Sequence, residues 1–124
     1  MSLQNGSRGS TATSSLSTST DTEGFWHWYA QGEALANGED YGRALRCFEE
    51  AAVIAPLDSA VLLYQAVCLI HLGQPQKALA VTEVLVNGDP AHAQGWLFRG
   101  VALNRLGRFQ EAYASYDRAT ALAT

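Results

Sequence analysis

The hydrophobic pattern of the chain changes abruptly near residue 23. Before that point the chain is mostly Ser, Thr and Gly, and Leu3 and Leu16 are its only large apolar side chains after Met1. A segment of this composition cannot bury enough apolar surface to offset the conformational entropy lost on ordering. The sequence therefore predicts a disordered Ser/Thr-rich tail over residues 1–22 and a folded domain over residues 23–124.

In the folded part, apolar residues recur three and four positions apart, which is the spacing of one face of an α-helix. Gly38, Gly73 and Gly107 provide the permissive backbone that ends a helix, and no helix can continue through Pro56 or Pro90. These signals predict six helices, over residues 24–37, 41–55, 59–72, 75–88, 93–106 and 109–122.

The folded part also repeats itself with a period of 34 residues. Large, small and turn-forming residues each recur at this spacing, and several columns in one register indicate a repeat array rather than coincidence. The matched columns are Trp28, Leu62 and Trp96; Gly32, Ala66 and Gly100; Leu35, Leu69 and Leu103; Ala44, Ala78 and Ala112; and Pro56 with Pro90. The repeats cover about residues 25–58, 59–92 and 93–124.

In residue type and spacing these columns resemble the tetratricopeptide repeat (TPR). The first and third repeats match the pattern well. The second has Thr82 where the pattern has an aromatic residue and Leu85 where it has a small one, which bears on the packing of its second helix. The resemblance implies an all-α fold, a right-handed α-solenoid of three antiparallel helix pairs whose first helices line a concave groove.

The resemblance further implies that a ligand lies along this groove. Aromatic side chains there would give rigid contact area of the kind found at interaction hot spots. We therefore expect a protein–protein interaction scaffold that binds a hydrophobic or amphipathic segment of a partner. The aliphatic side chains could instead pack between neighbouring helices. The expected groove residues are Trp26, Tyr29, Glu33, Leu63, Tyr64, Val67, His71, Gln94, Phe98, Val101 and Arg105.

One well-known use of the TPR groove is excluded by these residues. In heat-shock co-chaperones of the family, Lys, Asn and Arg side chains grip the terminal carboxylate of an acidic peptide. The corresponding places here hold Tyr29, Glu33, Tyr64, Gln94 and Phe98. None of these is basic, and Glu33 would repel an acidic tail, so we do not expect carboxylate-clamp binding.

Composition and charge argue against several other function classes. The formal net charge is −4 and Lys77 is the only lysine, so neither a nucleic-acid surface nor a polybasic membrane patch is expected. His27, His71 and His92 lack metal-ligand spacing, and no nucleophile or acid–base motif is present. We expect no metal, no cofactor and no enzymatic activity. Neither a signal peptide nor a membrane-spanning run is visible, which predicts a cytoplasmic protein.

The end of the array leaves two further hypotheses open. A repeat array usually closes with a polar capping helix, but the last helix here carries Phe109, Tyr113 and Tyr116 and then stops. Either the chain is a fragment of a longer protein, or this end associates with another chain, including a second copy. The alternatives to a peptide-binding scaffold are therefore a structural, oligomerisation or regulatory module of a larger protein, or a small secretion-type chaperone.

Overall fold

The computed structural model describes the backbone of residues 5–124 and the side chains of residues 21–124. Over this range the chain forms six α-helices and no strand. The helices are α1 (Asn5–Asn37), α2 (Tyr41–Ile54), α3 (Ser59–His71), α4 (Pro75–Gly88), α5 (Ala93–Arg105) and α6 (Phe109–Ala123). The limits of α2 to α6 lie within one residue of those predicted. Helix pairs α1–α2, α3–α4 and α5–α6 form an all-α solenoid.

The first helix is the exception, because it begins at Asn5 and not near residue 24. Among residues 21–124, the first that is buried in the domain is Phe25. A helix anchored by its later turns can extend outward, since each added residue gains one backbone hydrogen bond. Residues 1–4 and the side chains of residues 5–20 lie outside the described residues, so the disordered tail over residues 1–22 stays a prediction.

Each helix pair is joined by the same tight turn. In the second and third pairs a glycine takes the left-handed conformation, Gly73 with φ 73° and Gly107 with φ 77°. The first pair uses Glu39 with φ 64°, one position after Gly38, which the sequence had suggested as the turn residue. The next residue always donates its amide to the carbonyl five positions earlier, as Asp40 does to Leu35 at 2.8 Å. The turn thus accepts a non-glycine residue where its hydrogen bonds are kept.

Close approach within a pair depends on one small residue facing one large ring. A Cβ added to Gly32 would lie 2.7 Å from the ring of Phe48, and one added to Gly100 would lie 2.5 Å from the ring of Tyr116. Both separations are well below van der Waals contact. The glycines at these two repeat positions are therefore required by packing.

The second pair solves the same packing problem with different residues. Ala66 and Thr82 occupy the corresponding positions, and both are fully buried. The methyl group of Ala66 leaves less room opposite it, and Thr82 is smaller than a ring. Thr82 satisfies its own hydroxyl by donating to the Leu79 carbonyl at 2.9 Å. The departure of this repeat from the pattern is therefore compensated within the pair.

Candidate peptide-binding groove

A cavity of about 590 Å³ lies between the three first helices α1, α3 and α5. Most of its lining is apolar or aromatic, with a few polar groups at the first turns of α3 and α5. We call this cavity the groove pocket. It is lined by Tyr29, Ser59, Ala60, Leu63, Tyr64, Val67, His92, Gln94 and Phe98.

Two tyrosine rings form one wall of the groove pocket and are held from beneath by Phe48. The Tyr64 ring stacks on Phe48 with centroids 4.6 Å apart and 6° between the planes. The Tyr29 ring stands nearly perpendicular to Tyr64, at 5.7 Å and 83°. It also meets Phe48 edge-on at 5.9 Å. Because Phe48 is fully buried, both tyrosines are held in orientation while their side chains stay partly exposed.

Glu33 lies one helical turn beyond Tyr29, where its carboxylate accepts a hydrogen bond from the Tyr64 hydroxyl at 2.8 Å. This bond, together with partial burial, raises the pKa of Tyr64 to about 12. Burial and the nearby charges of Glu33 and Asp58 also raise the pKa of Tyr29. Both phenols are protonated at neutral pH, and the Tyr64 hydroxyl donates its proton to Glu33 at the edge of the groove pocket.

Six of the eleven groove residues expected from the sequence line this one cavity. They come from all three repeats. The six are Tyr29, Leu63, Tyr64, Val67, Gln94 and Phe98. Glu33 contacts the tyrosine wall through Tyr64. Trp26 lies one helical turn before Tyr29, and its largely exposed ring is 5.5 Å from the Tyr29 ring.

The other three expected residues lie away from the groove pocket and from its tyrosine wall. The imidazole of His71 stacks on Tyr41 at 4.0 Å. Val101 packs against the core that α3 to α6 share. Arg105 points back along the array and donates to the Ile70 carbonyl at 3.5 Å. All three stand near the C-terminal ends of first helices, where side chains pack on the neighbouring pair instead of leaving an open cavity.

Sequence reasoning also missed three residues that line the groove pocket, Ser59, Ala60 and His92. All three belong to the first turns of α3 and α5 or to the residue before them. His92 caps α5, its Nδ1 accepting the Gly95 amide at 2.9 Å. Ser59 donates to Asp89 at 3.3 Å. For His92 the capping position was an available signal, since a side chain that caps α5 stands at the first turn of that helix.

Comparison with known proteins now decides the family. A family model described as tetratricopeptide repeat matches residues 29–86 and 80–124. The chain belongs to the tetratricopeptide repeat family. The Arabidopsis OM64 TPR domain superposes with a TM-score of 0.79 at 22% sequence identity, over 82% of this chain and 84% of that one. The second TPR of Spaghetti (RPAP3), bound to an HSP90 peptide, superposes with a TM-score of 0.78 at 15% identity, over 84% and 98% of the chains.

Among curated proteins, this TPR chain is similar to the Protein STIP1 homolog of Dictyostelium discoideum. The two are 31% identical over 87 residues, which is 70% of this chain and 15% of that protein. The chain thus spans only a small part of its relative, and the similarity concerns the repeats alone.

The last TPR pair exposes more apolar surface than a closed array would. Phe109 is 53% exposed and Tyr113 is 60% exposed on α6, and Leu97 of α5 is 40% exposed. Ala112 and Ala119 of the same helix are buried. A shallow cavity of about 260 Å³ opens at this end, lined by Ala93, Gln94, Leu97, Ala119, Thr120 and Ala123. We call the surface formed by Leu97, Phe109, Tyr113 and this cavity the end face.

The remaining chemistry of the described residues is sparse. Cys47 and Cys68 are both buried and form no disulfide. Burial raises the pKa of the Cys68 thiol to about 11. Within residues 21–124 no group of three His, Cys, Asp or Glu side chains is placed to hold a metal ion. No helix of the described chain is long and apolar enough to cross a membrane.

Proposed function

We propose that this TPR chain is a protein–protein interaction scaffold and that the groove pocket binds a hydrophobic or amphipathic segment of a partner protein. A single observation carries the proposal. Tyr29, Tyr64 and Phe98 come from three different repeats, and all three line one cavity of about 590 Å³. In a purely structural repeat array, three aromatic side chains would be expected to pack fully between the helices.

The physical properties of the groove pocket support this proposal. Tyr29 and Tyr64 are already held by Phe48, so binding would cost little side-chain entropy at these positions. Leu63, Val67 and Phe98 offer apolar contact between them, while Gln94 and the two phenols provide directed hydrogen bonds. Small ligand sites generally combine these features, mostly apolar walls with a few placed polar groups.

The similarity to peptide-binding TPR domains supports the class of ligand but not its charge. The second TPR of Spaghetti (RPAP3) is bound to the acidic HSP90 peptide SRMEEVD. In this chain the expected clamp positions carry Tyr29, Glu33, Tyr64, Gln94 and Phe98, and Glu33 is a carboxylate at the groove wall. We therefore propose a peptide ligand of a different kind, and no catalytic role.

The proposal is tested by affinity capture of partners with the wild type and a Tyr29→Ala/Tyr64→Ala/Phe98→Ala variant. Truncation of aromatic hot spots typically costs about 2 kcal/mol or more each, so we expect partners to be lost almost completely. Circular dichroism must show that the variant keeps its helices. The single variant Phe98→Ala serves as a milder version, since Phe98 makes no ring contact within residues 21–124.

A matched control removes aromatic rings from a different surface. Phe109→Ala/Tyr113→Ala truncates two exposed rings on the end face and leaves the groove pocket intact. Partners that depend on the groove are retained by this control. Partners retained by the groove variant and lost by the end-face variant would instead contradict the groove proposal.

The exposed apolar end face supports a second candidate, a structural or oligomerisation module. Another helix packed over Leu97, Phe109 and Tyr113 would bury surface that α6 leaves open. In this candidate the end face associates with a second copy of the chain or with a further segment of a larger protein. Light scattering over a range of concentrations tests self-association, and a mass that stays monomeric at the highest concentration would rule it out. A cytoplasmic location remains a prediction.

A further inference from the structure

The charges around the groove pocket are of one sign. None of its nine lining residues is Lys or Arg. Three carboxylates border it instead. Glu33 accepts from Tyr64, Asp89 accepts from the lining residue Ser59, and Asp58 lies close enough to Tyr29 to raise the pKa of that phenol. An incoming ligand would therefore meet an anionic rim around an aromatic cavity.

Glu33 is the carboxylate best placed to meet a ligand. It is half-buried at the wall, and one of its oxygens accepts from the Tyr64 hydroxyl. Within residues 21–124 it forms no ion pair, whereas Asp40, Glu83 and Glu111 each bind an arginine. A carboxylate has room for several hydrogen bonds, so Glu33 keeps acceptor capacity for a charged donor.

The described cations of the chain do not neutralise this rim. Each of these arginines and the lysine either has a partner of its own or lies at another surface. Arg43 binds Asp40, Arg99 binds Glu83, Arg108 binds Glu111, Arg118 lies over Trp96, Arg105 donates to Ile70, Arg46 lines a cavity between α1 and α2, and Lys77 lines one between α2, α3 and α4. No cation within residues 21–124 complements Glu33, so its charge is available to a ligand.

The aromatic wall favours the same kind of ligand. Aromatic faces carry negative quadrupole potential, so an ammonium or guanidinium group within about 6 Å of a ring centroid is attracted to it. The near-perpendicular rings of Tyr29 and Tyr64 are both partly exposed, and the Glu33 carboxylate lies at the Tyr64 hydroxyl. The chain already uses this interaction at Trp96, which has the guanidinium groups of Arg99 and Arg118 at 5.7 and 5.6 Å.

We propose that the groove pocket selects a partner segment in which a Lys or Arg stands next to a large apolar residue. The cation lies beside Glu33 and over the rings of Tyr29 and Tyr64. The apolar side chain lies against Leu63, Val67 and Phe98. This inference rests on the proposed peptide-binding function and adds the charge of the side chain that the groove pocket recognises.

The probe for this inference is a library of randomised nine-residue peptides displayed on phage. It is selected in parallel on the wild type and on Phe98→Ala. We expect peptides enriched only on the wild type to carry Lys or Arg next to a large apolar residue. Enrichment of apolar peptides without a basic residue, or of acidic peptides, would overturn the charge inference and leave the proposed function standing. No enrichment over the Phe98→Ala control would overturn the proposed function itself.

Charge variants at Glu33 then test whether this carboxylate binds the cation. Glu33→Gln removes the charge but keeps an oxygen that can accept from Tyr64, and we expect the selected basic peptide to bind about tenfold more weakly. Glu33→Lys should shift the library preference toward acidic residues. Glu50→Gln, an exposed change on α2 away from the groove pocket, should leave the affinity unchanged. Equal affinity of wild type and Glu33→Gln would remove Glu33 from the site.

Discussion

The two interfaces between successive repeats are built differently at equivalent positions. At the first interface Phe48 of the second helix stacks under Tyr64 of the next repeat. At the second interface the equivalent residues are Thr82 and Phe98, and a threonine offers no ring to stack on. The first half of the groove pocket therefore rests on a rigid aromatic base, and the second half does not.

A second pair of positions also differs between the interfaces, and here a larger side chain on one helix faces a smaller one on the next. Ala51 and Val61 are both fully buried in the core of the first two repeats. The equivalent residues at the second interface are Leu85 and Gly95. A Cβ added to Gly95 would lie 3.0 Å from the side chain of Leu85. The comparison teaches that a repeat tolerates departures from the family pattern when volume lost on one helix is restored on its neighbour.

The largest expected effect comes from giving the first interface the residue of the second. Phe48→Thr removes a fully buried ring from beneath Tyr64 and opposite Gly32, and we expect a loss of about 3–5 kcal/mol in the free energy of unfolding. Urea denaturation followed by circular dichroism measures it. Thr82→Ala at the second interface should cost only about 1–2 kcal/mol. Equal costs at the two positions would show that the interfaces do not differ as described.

A double-mutant cycle sharpens the comparison at the other pair of positions. Leu85→Ala opens a cavity, and Gly95→Val crowds Leu85, so each change alone should destabilise the chain. Together they recreate the Ala and Val of the first interface. We expect the double variant to be more stable than the sum of the single changes by about 1–2 kcal/mol. An additive result in urea denaturation would mean that the two side chains do not share one space.

The smallest expected effect on stability is a pH dependence that belongs to the first half of the groove pocket. The pKa of Tyr64 is about 12 in the folded chain, against 10.0 for a free phenol. Between these values the unfolded chain has lost the proton that the folded chain keeps, so the free energy of unfolding falls as pH rises. The contribution of Tyr64 is complete below pH 10 and lost by about pH 12.

Ultraviolet difference titration of the phenols measures this pKa directly. Assignment of the late-titrating phenol requires the Tyr64→Phe variant, in which that transition should be missing. Glu33→Gln should move it toward 10, because the carboxylate charge no longer disfavours the phenolate. A Tyr64 transition near 10 in the wild type would contradict the hydrogen bond to Glu33.

Most of the fold could be predicted from the sequence because the same repeat pattern sets the limits of every helix. Gly73 and Gly107 ended their helices as predicted, since the turn needs a left-handed residue. Thr82 and Leu85 left the packing of α4 open, because their compensation depends on Ala66 and Gly95 in other helices. Volume exchange across an interface is a pairwise property that no single position reveals.

The groove pocket was predictable in part for the same reason. The repeat register assigned Tyr29, Tyr64 and Phe98 to the first helices of the three pairs, and all three line the groove pocket. It could not show that Val101 packs into the core or that Arg105 turns back to Ile70, since these depend on how neighbouring first helices approach at their C-terminal ends. The anionic rim could not be predicted from single positions either, because the placement of Glu33 depends on its hydrogen bond with Tyr64.

The most direct test of the groove is to map the surface that a bound peptide touches. Backbone amide shifts of the labelled chain are recorded by nuclear magnetic resonance while the peptide selected from the library is added. We expect the largest changes on α1, α3 and α5 around Tyr29, Tyr64 and Phe98, with α2, α4 and the end face little affected. Changes confined to the second helices or to the end face would contradict the groove as the binding site.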